Sequence, residues 1–258
     1  MSHHQETPPP PPFLKQVLSL EIAIKLETII ERIETYLNKN QYAFCRRTNN
    51  HEWDIALLTT YDTIASARIS IYSKPTTASY VIDVLKMNSD YGYHEVKTLF
   101  HELKNAITAT ITAAIDMPQS THFFSLKPFN DMVSFNDDTL ITLFTHIEKS
   151  DFIETTITIL HDISKNATIT ILFTPTIFNM VLTVIQTILR DRYCVNTKYK
   201  AIKTLGNMTN HNVSLMLPYS KIIPENMFIP PANYKEIYLH RECNRILEKC
   251  ANNGPNNT

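Results

Sequence analysis

The sequence predicts an α+β domain followed by an all-α domain of stacked helices. Between Gln41 and Leu85, apolar residues tend to recur at every second position, and runs with helical spacing flank this stretch on both sides. After Ser134 the spacing is helical throughout. Within that second half, a segment beginning at Leu160 repeats at Leu205, an offset of 45 residues.

The chain opens with MSHHQETPPPPPF. The prolines Pro8–Pro12 exclude a helix and favour polyproline II. Residues 1–13 read either as a disordered leader or as a ligand for an SH3-, WW- or profilin-type groove. Residues 14–40 carry Leu18, Ile22, Leu26, Ile29, Ile30, Ile33 and Leu37 at three- and four-residue spacings, which predicts one amphipathic helix. Four strands are expected next, at Tyr42–Arg46, Trp53–Leu57, Arg68–Tyr72 and Tyr80–Leu85, with turns at Thr48–His51 and Ser73–Thr77. A second helix follows the break at Asp90–Gly92, with Val96, Leu99, Phe100, Leu103 and Ile107 on one face. Two helices on one face of a four-stranded antiparallel sheet bury a single core over residues 14–115.

Residues 116–134, with Pro118, Pro128 and the pair Phe123–Phe124, read as a linker. The helical domain is expected over 135–250. Its helices are predicted at Leu140–Ile147 (capped by Asp137 and Asp138), Phe152–Ser164, Ile169–Phe173, Ile177–Leu189, Thr197–Met208, Val213–Leu217 and Tyr234–Cys250. Residues 251–258 are expected to form a polar, disordered tail.

Ile69-Ser-Ile-Tyr72, Tyr80-Val-Ile-Asp-Val-Leu-Lys86, the corner Ser89-Asp90 and the helix around Phe100 resemble the kinase-associated-1 (KA1) type of domain. That resemblance implies binding of acidic phospholipids by the first domain, here through Arg46, Arg47, Arg68, Lys74 and Lys86. The repeated phrase pairs Leu160 with Leu205, Ile163 with Met208, and Ile171-Leu172 with Met216-Leu217. A leucine-ended helix, a polar loop with Asn and a short apolar helix, at this period, resemble an armadillo or HEAT array over about 135–225. In such arrays asparagines of the concave helices hydrogen-bond an extended peptide, which points to Asn207.

Composition removes several function classes. With Gly92, Gly206 and Gly254 as the only glycines, no phosphate-cradling loop can be written. A net charge of −1 argues against holding nucleic acid by bulk electrostatics. Cys45, Cys194, Cys243 and Cys250 contain no CxxC pair and read as reduced structural thiols. No secretory signal or membrane span is expected, which fits a cytoplasmic protein.

Two clusters carry candidate chemistry. His146, His161-Asp162 and Asp191 are the residue types of an HD-type metal-dependent phosphohydrolase, although the repeat alone accounts for His161-Asp162. Arg190, Arg192, Lys198, Lys200 and Lys203, interleaved with Tyr193 and Tyr199, form a basic cluster suited to a partner contact or a solvated face. The sequence therefore predicts a non-enzymatic, intracellular protein–protein interaction scaffold with no cofactor. Its partner is a protein or peptide, with peripheral phospholipid binding as the alternative.

Overall fold

The computed structural model describes residues 17–47, 51–74, 77–87, 92–109, 140–141, 144 and 150–253. The proline-rich leader, the linker at 116–134, the cap residues Asp137 and Asp138, and His146 lie outside the described residues. Of the described residues, those up to 109 together with 227–241 form one compact unit. Those from 140 to 226 and from 242 onward form a second.

The first unit is a five-stranded antiparallel sheet with two helices. The strands are β1 (Val17–Ile22), β2 (Ala43–Arg47), β3 (Glu52–Leu58), β4 (Ile64–Lys74) and β5 (Ser79–Met87), in the order β1-β5-β4-β3-β2. Helix α1 spans Leu26–Lys39 and α2 spans Tyr93–Thr108. The expected helix over 14–40 is therefore divided: its first part is β1, which pairs with β5. Leu18 and Ile22 stand four residues apart, a spacing that both a helix face and every second position of a strand satisfy. Leu20 between them favours the strand, and Lys25 at the N-cap makes no side-chain cap bond that would mark the start of α1. The sheet accordingly gains a fifth strand over the four expected.

Strand alternation gives the sheet two different faces. Trp53, Ile55, Ala67, Ile69, Ile71, Ile82 and Val84 pack in one cluster with Ile29, Ile33 and Leu37 of α1 and with Val96, Leu99, Leu103 and Ile107 of α2. Both helices thus cover one face, as the sequence predicts. The other face is polar along a rung that crosses all five strands, Ser19–Asp83–Ser70–Glu52–Arg47. Beside it Asp54 accepts from Arg68 Nε at 2.7 Å and from Arg47 Nε at 2.9 Å. Residues 227–241 pack on β2 and β3. There the Tyr238 hydroxyl donates to the Ala56 carbonyl at 3.3 Å, Arg241 donates to the Gln41 carbonyl at 2.8 Å, and the Arg241 guanidinium lies 5.7 Å from the centre of the Tyr238 ring. The sequence reading groups these residues with the helical half.

Asp83 is buried and accepts a bond from Ser19 Oγ at 2.6 Å. Burial raises its pKa, and the Ser19 bond only partly offsets this. A carboxyl whose folded pKa is raised costs stability as pH climbs from its unfolded value through its folded value. Asp83→Asn is therefore expected to raise the melting temperature at neutral pH. The gain should vanish below about pH 4, where both states hold the proton. Melting curves at neutral and acid pH check this, and an equal gain at both would contradict it.

In the second unit the helices are α3 (Ser150–Ser164), α4 (Pro175–Arg190), α5 (Val195–His211), the short α6 (Val213–Met216) and the part of α7 (Ile237–Asn252) from Glu242. A 3₁₀ segment, Ala167–Phe173, joins α3 to α4. Pro175 stands in the first turn of α4, where its missing N–H has no intrahelical partner to lose. Ile177, Val181, Ile185 and Ile188 of α4 are buried along with Ile157 and Leu160 of α3 and Ile202, Leu205 and Met208 of α5.

The two copies of the repeated phrase share much of their local structure. Leu160 and Leu205 are both buried at matching helix positions, as are Ile163 and Met208. After the polar loop the copies diverge by one residue. Leu172 is the fully buried anchor of the first, and Met216, one place before its match, that of the second. The first copy continues as a 3₁₀ segment and the second as a turn of α-helix, and the different rise per residue moves the anchor.

Candidate functional site: a ladder of parallel helices

Helix α5 presents Lys200, Lys203, Asn207 and Asn210 at spacings of three, four and three, which is one stripe along its length. Ala201, Ile202, Leu205 and Met208 are turned into the core. The stripe bonds to a helix on each side.

Toward α3, Thr197 Oγ1 donates to Glu154 Oε1 at 3.0 Å, Lys200 Nζ to Thr158 Oγ1 at 2.9 Å, and Asn207 Nδ2 to Ser164 Oγ at 2.9 Å. The sequence separations are 43, 42 and 43. A constant separation over three rungs requires that α3 and α5 run parallel and in step. Toward α7, Lys203 Nζ reaches Glu242 Oε2 at 3.5 Å, while Asn210 Oδ1 accepts from Arg245 Nη1 at 3.2 Å and from Lys249 Nζ at 2.6 Å. These separations are 39, 35 and 39, so α7 is also parallel to α5. Three parallel helices are laced by polar side chains on one side.

Gly206 lies against the Glu242–Arg245 pair of α7. A Cβ there would lie 2.6 Å from Glu242 Oε1 and 2.7 Å from Arg245 Nη2. The Glu242 side chain is 8% exposed and takes a bidentate fork from Arg245, at 3.0 and 2.5 Å. A carboxylate this buried requires such a partner.

At the C-terminal ends of α3 and α5 the ladder opens into a cleft of about 410 Å³, lined by Ser164, Lys165, Asn166, Ile169, Asn207, Asn210 and His211. The first four belong to one copy of the repeated phrase and the last three to the other. Bonds within the ladder fix what the amides offer. Asn207 uses its Nδ2 on Ser164, which leaves Oδ1 as an acceptor. Asn210 gives its Oδ1 to two cations, which leaves Nδ2 as a donor. Asn166 donates its Nδ2 to the Asp162 carbonyl at 2.7 Å, leaving Oδ1. Asp162 itself is 67% exposed. Its carboxyl is held below the usual range, chiefly by hydrogen bonding to the His161 ring; burial works against this, and the charges of Lys165 and Lys200 add to it.

The basic cluster read from sequence is divided. Lys200, Lys203 and Asn207 lie on the ladder. Lys198 is half-buried in the first turn of α5. Arg190 and Arg192 are exposed around the turn that precedes α5, at the opposite end of that helix from the cleft. The sequence reading omits Thr158, Ser164, Glu242, Arg245 and Lys249. The spacing Glu242, Arg245, Lys249 is a readable stripe, but its partner helix is not.

Of the phosphohydrolase residues, His161 is 1% exposed, Asp162 points outward beside it, and Asp191 follows the end of α4. No group of three or more His, Cys, Asp or Glu side chains among the described residues is placed to hold a metal. Four of the five residues implied for lipid binding are tied up with carboxylates: Arg46 with Glu34 at 2.8 Å, Arg47 and Arg68 with Asp54, and Lys74 with Glu21 at 2.8 Å. By strand alternation Arg46 and Lys86 belong to the helix-bearing face, and Arg47, Arg68 and Lys74 to the other. No helix among the described residues is long and apolar enough to cross a membrane.

Compared with known proteins, the chain matches no family model, and no curated protein matches it.

Proposed function

We propose that this protein is a non-enzymatic interaction protein whose second unit receives an extended segment of a partner along the α3–α5–α7 ladder. One observation carries the reading. Equivalent ends of the two helix-loop copies meet at the cleft and offer it side-chain amides already oriented by other bonds. An acceptor at Asn207 and a donor one turn later at Asn210 suit the alternating N–H and C=O groups of an extended main chain. Pre-set groups reduce the ordering cost of binding. The parallel helices α3 and α5, in step at separations near the 45-residue offset, support an armadillo-like reading of this unit.

The KA1-type reading of the first unit rests on α1, β2 to β5 and α2 in that order, with β1 outside it. Four of its five candidate lipid contacts already have carboxylate partners, so a membrane role ranks below the peptide role.

Panning a display library of unstructured peptides on the protein tests the proposal. Enrichment is expected, with loss of up to roughly tenfold in affinity for Asn210→Ala, the upper end for one hydrogen bond between neutral groups. Absence of enrichment, or enrichment indifferent to Asn207→Ala and Asn210→Ala together, would reject it.

A further inference from the structure

We propose that β1 is a dimerisation edge, along which a second copy of this chain adds antiparallel so that the two sheets join into one. The strand order places β1 and β2 at the two edges of the sheet. An edge strand presents a row of backbone N–H and C=O groups that suits another strand, unless charge or cover blocks it. The two edges differ in this respect. β2 carries Arg46 and Arg47, and residues 227–241 pack against it, with Arg241 donating to the Gln41 carbonyl just before it. β1 reads Val-Leu-Ser-Leu-Glu-Ile, without lysine, arginine or proline. Its one charge, Glu21, is tied to its own sheet, where it accepts from Lys74 Nζ and Ser79 Oγ, each at 2.8 Å. Among the described residues, only β5 pairs with β1.

The sequence of β1 is complementary to itself, and this names the occupant. In an antiparallel pair, residues directly opposite each other share a face of the sheet. Leu18, Leu20 and Ile22 belong to the helix-bearing face and its core cluster, and Ser19 and Glu21 to the other. Leu18 and Leu20 stay half-buried there. A two-fold axis at Leu20, normal to the sheet, sets Leu20 against Leu20 and Leu18 against Ile22. All three apolar residues of that face then meet apolar neighbours. On the other face the same register sets Glu21 against Ser19, so no two like charges are opposed. An axis at Ser19 would instead set Ile22 against residue 16, outside β1. A contact one short strand long falls below the standard size of a stable interface, so the dimer is weak and depends on concentration.

Sedimentation velocity of the full chain over a series of concentrations tests this, with cross-linking to fix the register. The wild type should pass from monomer to dimer as concentration rises. Leu20→Lys sets two like charges against each other across the axis and should weaken association at least roughly tenfold. Leu20→Cys should form a disulfide between copies on treatment with diamide, because directly opposed residues stand within disulfide reach. Leu18→Cys should not, since the two copies of that position lie four residues apart, about 13 Å. The wild type is the control for Cys45 and Cys194, which are exposed. A wild type that stays monomeric at every concentration would overturn the proposal. So would a dimer indifferent to Leu20→Lys, or one in which Leu18→Cys cross-links as well as Leu20→Cys. Circular dichroism checks that Leu20→Lys is folded, and if it is not, the two cysteine variants decide the matter alone.

Discussion

Gly92→Ala is expected to lower the stability of the first unit by about 3 kcal/mol, the sum of a backbone term and a packing term. Gly92 precedes α2 with φ of 94°, a conformation that L residues with a Cβ rarely adopt. An added Cβ would also lie 2.4 Å from the Cβ of Ala65, which is buried in β4 and has no flexible end to move aside. The two terms are separable. Ala65→Gly in the Gly92→Ala background should relieve the collision but not the backbone strain. The double-mutant cycle should therefore show favourable coupling of about 1–2 kcal/mol. Urea unfolding followed by tryptophan fluorescence measures this, because Trp53 is the only tryptophan in the chain and lies in this unit. No coupling would mean that β4 gives way without cost.

The second large effect is expected at Trp53 itself. It is fully buried beneath the helices, with its Nε1–H toward Glu34 Oε1 at 3.4 Å and the Arg46 guanidinium 5.6 Å from its ring. Trp53→Ala should cost about 3–5 kcal/mol, the range for removing a large buried aromatic. Trp53→Phe should cost less, since it keeps most of the apolar volume. Circular dichroism in urea reads both variants. A loss under about 1 kcal/mol for Trp53→Ala would show that the core closes over the gap.

Much of this architecture was legible because local periodicity and tertiary burial agree. The β3 and β4 strands and α2 follow from alternating or helical apolar spacing, and β5 from its β-branched run. Where the two periods coincide, at Leu18 and Ile22, sequence offers no decision, and pairing with β5 makes it. The offset between Leu160 and Leu205 foreshadowed two parallel helices. It contained no sign of the third, because α7 joins the ladder through Glu242, Arg245 and Lys249, which match nothing in the repeated phrase. The basic cluster was found as a run in sequence, yet a run spans a turn and all sides of a helix. Only Lys200 and Lys203 fall on the stripe that meets neighbours.

The first unit is discontinuous in the chain, and this has a consequence for its biosynthesis. A ribosome finishes all five strands and both helices well before it reaches Tyr234 and Tyr238. For most of translation, the surface over Ala43 and Ala56 that residues 227–241 occupy has no cover of its own. A nascent chain stopped at about residue 226 should then be more sensitive to protease in β2 and β3 than the released protein, and adding a peptide of residues 227–241 in trans should restore protection.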